Sequence, residues 1–190
     1  MPRQHSDSQE FSRFVEADSV GTHRMERKIA ANPEERAALA RRFGLVSVDR
    51  LEADLVLRRA GAGVIHVTGS LSADVVQSCV VTLAPVEARV EDKFATDFLD
   101  ETEFERQMAR AGGKGEADLD YEEDDPPEPI RNGHIDLGEL AAQQLSLALD
   151  PYPRAPGAAV PERFAPPPEA EAEVAPVAER PVNPFSILKK

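Results

Sequence analysis

Cys79, the single cysteine, and four histidines (His5, His23, His66 and His134) are the side chains that could supply a nucleophile, a general base or a soft metal ligand. A nucleophilic thiol needs a nearby base and an electropositive setting. Cys79 instead falls among alternating apolar residues, with no histidine close in sequence, and reads as a packed core thiol on a strand. Structural zinc needs ligands at paired spacing, and one cysteine with scattered histidines supplies none. His66, between Ile65 and Val67, reads as a solvent-facing strand residue. The carboxylates from Asp118 to Asp125 lack the alternating ligands, glycine and terminal glutamate of a calcium loop, and read as a solvated acidic segment. Gly61-Ala62-Gly63 lies between two extended runs, which makes it a hairpin turn and not a phosphate cradle. No catalytic residue, no cofactor, no metal and no small-molecule substrate is expected.

Basic residues offer a different chemistry. Arg24, Arg27 and Lys28 precede a first helix, Arg36, Arg41 and Arg42 lie on it, and Arg58-Arg59 closes a strand. The sharper reading is a local face for RNA; the plainer one is the polar outer face that any helix needs. Aromatic residues are only 5% of the chain, so base stacking on rings is poorly supplied. Residues 1–99 hold 13 Lys/Arg against 15 Asp/Glu, and residues 100–190 hold 9 against 20, so most of the net −13 sits in the back half. Phosphate backbones are repelled by such a charge unless the bases cluster, and a basic protein is the easier partner.

The elements that must position these groups follow from periodicity. Glu10 to Val15 suggests an edge strand. Asn32-Pro33-Glu34-Glu35 has an N-cap, a proline at the first helical position and a glutamate at capping-box spacing, and Gly44 ends the helix. From Ser47 to Asp97 the period becomes two, in runs at Leu51–Leu57, Ile65–Ala73, Val75–Leu83 and Val86–Phe94. Connections this short permit hairpins, so the sheet should be mostly antiparallel. Asp136 caps a C-terminal amphipathic helix with Leu137, Leu140, Ala141, Leu145, Ala148 and Leu149 on one stripe, and Asp150-Pro151-Tyr152-Pro153 ends it. The fold class is α+β.

The expected organisation is a flexible N-terminus (1–8), one domain over 9–157 and a Pro/Ala/Glu-rich disordered tail (158–190). A disordered acidic insertion occupies about 101–132, with Glu103 to Ala111 a possible helical continuation, because like charge and low hydrophobicity leave too little to bury. No run reaches the ~18–20 apolar residues of a membrane span. The polar start from Met1 to Glu10 offers no secretory signal, and a lone cysteine fits a reducing compartment. A cytoplasmic protein is expected.

Several segments together resemble the YceD family. Ala73–Val86 (ADVVQSCVVTLAPV) is similar to its central motif, and Ile135–Leu145 with Leu147–Arg154 (the Asp-Pro-Tyr-Pro exit) is similar to its helix motif. The closing Asn183–Lys190 (NPFSILKK) resembles the ending of alphaproteobacterial members. The likeness covers roughly residues 9–157 plus that end. It implies a bacterial factor needed for accumulation of large-subunit (23S) ribosomal RNA. Many members carry Cys-x-x-Cys in the central motif; here the pair reads Cys79 and Thr82, so sulfur or metal chemistry does not transfer. The expected function is a non-catalytic ribosome-biogenesis factor that binds large-subunit rRNA or a basic ribosomal protein. Its contacts are placed at Cys79, Asp136, Asp150, Tyr152 and Arg154, with Arg24, Arg27, Lys28, Arg41 and Arg42 as candidates for RNA. The rival readings are a regulatory adaptor unrelated to ribosomes, and an RNA-processing enzyme gathering His66 or His134 with Cys79 or several carboxylates.

Overall fold

The computed structural model describes residues 10–111 and 126–159. Alternating patterns set its main body. Strands β2 (Met25–Ala30), β3 (Ser47–Arg59), β4 (Ile65–Ser78), β5 (Pro85–Asp100) and β6 (Glu128–Ile130) form one sheet in that order. A two-stranded antiparallel sheet pairs β1 (Phe14–Glu16) with β7 (His134–Asp136). The helices are α1 (Pro33–Phe43), α2 (Glu101–Ala111) and α3 (Leu137–Ala148). The β2–β5 ladders are antiparallel, as short connections require. The architecture is α+β.

One face of the sheet is apolar. Leu51, Leu55, Leu57, Val67, Leu71, Ala73 and Val75 alternate inward on β3 and β4, and each is at least 96% buried. Helix α1 packs on β3, and α3 crosses β4 and β5, bringing Leu39, Leu140, Ala141 and Leu145 onto that face. The opposite face is a ladder of charges and small hydroxyls. Lys28 meets Asp54 at 3.0 Å and Arg50 meets Asp74 at 2.7 Å across neighbouring strands. Such exposed pairs contribute little to stability but keep an open sheet face soluble.

The first helix forms as its sequence requires. Asn32 Oδ1 accepts hydrogen bonds from the Glu34 and Glu35 amides at 2.9 Å, and Glu35 Oε2 accepts from the Asn32 amide at 2.8 Å. Arg13 forks onto both Glu35 oxygens, and these bonds hold the Glu35 carboxyl below its usual range. Gly44 ends the helix at φ +66, in the left-handed region open to glycine. Asn32→Ala is expected to cost about 1–2 kcal/mol in chemical denaturation, since both the cap and its reciprocal bond go. A change below a few tenths would remove the cap from the account.

Four local readings need correction. The Glu10–Val15 strand is displaced: β1 starts at Phe14, and Phe11 is instead buried. Met25–Ala30, taken as a basic approach to the helix, is the edge strand β2; three of its six residues are charged, which hid its period. The run Val75–Leu83 stops as a strand at Ser78, so Cys79 lies in the following turn. Finally, β6 joins β5 in parallel after a long excursion that includes α2. Thus α2 and β6 form within the segment read as an acidic insertion, while 112–125 lie outside the described residues, as do 1–9 and 160–190.

Candidate interaction surface

Three distant pieces of chain meet where β4 ends: the β4–β5 turn, the exit of α3 and the C-terminus of α1. Cys79 organises the turn. Its amide donates to Ala84 O at 2.8 Å, the Leu83 amide donates to Cys79 O at 2.9 Å, and Leu83 takes φ +60 to close the loop. The sulfur is fully buried but lies outside the main core cluster. It accepts from the amides of Ala155 at 3.3 Å and of Val81 and Thr82 at 3.4 Å. Hydrogen bonds to the charged form favour it. The Ala155 amide, followed by the Thr82 hydroxyl, pulls the thiol down to about 6 despite burial.

The α3 exit is strapped across this turn. Val80 donates its amide to Pro153 O at 2.9 Å, and Gln77 Nε2 donates to Asp150 O at 2.8 Å. Asp150 Oδ1 accepts the Tyr152 amide at 2.8 Å, fixing the Asp-Pro-Tyr-Pro bend. From the loop after α1, the Val46 amide reaches Val76 O at 2.8 Å. A cleft of about 510 Å³ lies between these pieces, lined by Gly44, Leu45, Gln77, Val80, Leu149 and Pro153 among others. Val80, which lines it, and Val46, Leu83 and Tyr152, on the same three pieces of chain, are 48–78% exposed. An assembled group of exposed large apolar side chains marks an interaction site more than isolated ones do.

The structure brings Arg41, Arg42, Cys79, Asp150, Tyr152 and Arg154 to this end of the sheet. Arg42 is committed: its guanidinium forks onto Glu139 at 2.7 and 2.8 Å and reaches Glu10 at 3.2 Å, joining α1 to α3. The Glu139 bonds raise its pKa further. Arg24, Arg27 and Lys28 lie at β2, where Lys28 pairs with Asp54, seven residues or roughly 23 Å along β3 from Ser47. Asp136 caps the far end of α3, with Oδ1 accepting from the amides of Arg13, Gly138 and Glu139. Sequence reasoning missed Val46, Val80 and Leu83 as exposed groups, since alternation had put the last two on a strand. It also missed Gln77 and Ala155 as the strap's partners; Pro151 and Pro153 were the visible sign of a sharp exit.

The groups an enzyme would need stay apart. His66 Nδ1 contacts Asp97 at 2.5 Å on the charged sheet face, and His134 Nδ1 contacts Asn132 O at 2.7 Å beside β7. Cys79, just past the end of β4, is thirteen residues beyond His66, roughly 40 Å at the rise of a strand. Among the described residues no three His, Cys, Asp or Glu side chains gather to hold a metal, and no helix is long and apolar enough to cross a membrane. A cleft of about 730 Å³ runs over the charged face past Lys28, Glu52, Asp54, Ser70, Ser72 and Lys93, without histidine or cysteine in its lining.

One protein family, described as Large ribosomal RNA subunit accumulation protein YceD, matches over residues 67–190. The match takes in β4, the Cys79 turn, β5 and α3 with its exit. No curated protein and no solved structure matches the chain.

Proposed function

The chain belongs to the YceD family, and from that premise we propose that it supports accumulation of large-subunit (23S) ribosomal RNA as a non-catalytic binding factor in the bacterial cytoplasm. The observation that carries this reading is the joined surface itself. Segments 73–86 and 135–155, far apart in sequence, are held together by the Cys79 and Gln77 bonds and present Val80, Leu83 and Tyr152 to solvent. A rigid platform with apolar anchors suits binding.

The direct ligand is a basic large-subunit protein. Phosphate recognition needs free cations. Of the five side chains named for RNA, Arg24, Lys28 and Arg42 already contact a carboxylate at 2.7–3.1 Å, whereas Arg27 and Arg41 pair with none among the described residues. A net charge of −13 adds long-range repulsion of RNA and attraction of basic protein.

The test replaces Leu83 and Tyr152 with aspartate; both side chains are more than 70% exposed, so the fold should survive, as circular dichroism can check. In cells lacking the wild-type copy, the double variant is expected to leave the ratio of 23S to 16S rRNA low. It should also retain about tenfold less large-subunit protein, identified by mass spectrometry after ribonuclease treatment. Full complementation by a folded variant would overturn the placement. Retention abolished by ribonuclease in the wild-type protein would make RNA the direct ligand.

A further inference from the structure

Strand β5 is 16 residues long, and β6 covers only its last three, Phe98 to Asp100. On the side away from β4, the stretch Pro85–Asp97 has no strand beside it among the described residues, and no other described backbone group bonds to it. In the β6 register the ladder ends at Glu128, and Pro127 and Pro126 would face Asp97 and Thr96. Among the described residues, alternate N–H and C=O groups of this stretch are therefore unpaired, a template for one more strand.

The ground beside this edge is shaped and charged. A groove of about 700 Å³ runs along its far part, between Phe94 and Thr96 on one side and Gln144, Leu147 and Pro126 on the other. Leu147 is 78% exposed although it lies on α3, so the groove has an apolar wall with nothing described upon it. The Phe94 ring sits over Gly69 on the neighbouring strand: a Cβ on Gly69 would come within 2.3 Å of it. Residues 86–97 hold four acids, Glu87, Glu91, Asp92 and Asp97, against two bases, Arg89 and Lys93. Arg89 is already paired with Glu91 at 2.7 Å.

We propose that the open edge of β5, Val86–Asp97, accepts an extended basic segment of a partner protein as an added strand of the sheet. Main-chain bonds to the edge supply affinity, and side chains on one face of the added strand enter the groove beside Leu147. The acids select for lysine and arginine on that strand. They also repel a second β5 edge, so pairing of two like edges is opposed. The edge starts at Pro85, next to the turn that carries Leu83, so one partner can span both surfaces. This inference rests on the reading of the chain as a protein-binding factor and names the chemistry of its partner.

Amide hydrogen exchange on the isotopically labelled full chain tests it. The probe is a synthetic 12-residue peptide alternating lysine with valine or threonine. Controls are the same peptide with proline at every third position and a 12-nucleotide single-stranded RNA. The lysine peptide is expected to slow alternate amides between Val86 and Asp97 at least tenfold, leaving those facing β4 unchanged. Glu87→Lys with Glu91→Lys, both exposed, is expected to weaken binding at least tenfold. Equal binding of the proline peptide, or binding without slowed amides, would overturn strand addition. Protection by RNA would overturn the ligand class, and protection in the chain alone with a doubling of mass would make the occupant a second copy. Failure here with large-subunit proteins still retained removes only the edge. Unchanged retention in the Leu83/Tyr152 variant with β5 protection intact removes only the platform.

Discussion

Gly138→Ala is expected to destabilise the domain by about 2–4 kcal/mol, lowering Tm by roughly 8–15 °C. Helix propensity alone argues the other way, since alanine in a helix is favoured over glycine by about 1 kcal/mol. Packing decides the sign. A Cβ at Gly138 would stand 2.5 Å from Phe11 O and 2.9 Å from Phe11 C and Ser12 Cα, all backbone atoms that cannot rotate away. That backbone is pinned from both sides. Arg13 donates its amide to Asp136 Oδ1 at 2.7 Å and accepts the Leu137 amide at 3.0 Å, while Phe11 is 99% buried. Relief requires segment 11–13 to lift, breaking two hydrogen bonds and exposing the Phe11 ring. Thermal denaturation followed by circular dichroism reads the effect. An unchanged or higher Tm would show that the close approach is not real.

The second large effect belongs to Cys79. Cys79→Ala leaves the amides of Ala155, Val81 and Thr82 facing a methyl group in a buried place, and is expected to lower Tm by about 5–10 °C. Faster amide exchange at Ala155 and Val80 should accompany it, because the strap loses its anchor. The folded thiol titrates near 6, whereas an unfolded cysteine titrates near 8.5. Its folded pKa is depressed, so the unfolded state binds more protons between these values and stability rises with pH across that window. The contribution is complete above about 8.5 and lost as pH falls through about 6. Cys79→Ser keeps an acceptor but not the titration. The wild-type Tm minus that of Cys79→Ser is therefore expected to climb from pH 6 to 8.5, with other titrating groups cancelling in the difference. A flat difference would mean that the sulfur stays protonated and serves only as a neutral acceptor.

Helix α1, the Gly61–Gly63 hairpin and α3 with its Asp136 cap were legible because their signals are local. A cap, a left-handed glycine or a hydrophobic stripe acts within one or two turns of chain. Strand β2 was illegible for the opposite reason. Its ladder partner lies more than twenty residues away, and an edge strand with Glu26, Arg27 and Lys28 exposed has little apolar period to show. The end of β4 was misread because Cys79, Val81 and Leu83 continue the alternation of Val75 and Gln77 past the strand. A left-handed Leu83 and the Ala84 carbonyl turn the chain there, and composition does not encode that turn.

By itself the sequence determined the class of fold, the two main helices and their caps, the antiparallel centre, the family resemblance and the uneven charge. Each is a sum over residues or a rule spanning a few neighbours. Tertiary structure alone decided which surfaces are available. It committed Arg42 to Glu139 and Lys28 to Asp54, carried Tyr152 and Leu83 to one end of the sheet, and, among the described residues, left most of β5 without a strand on its outer edge. Those outcomes depend on contacts between segments tens of residues apart, where the geometry of packed backbone fixes a side chain's neighbours and residue type does not.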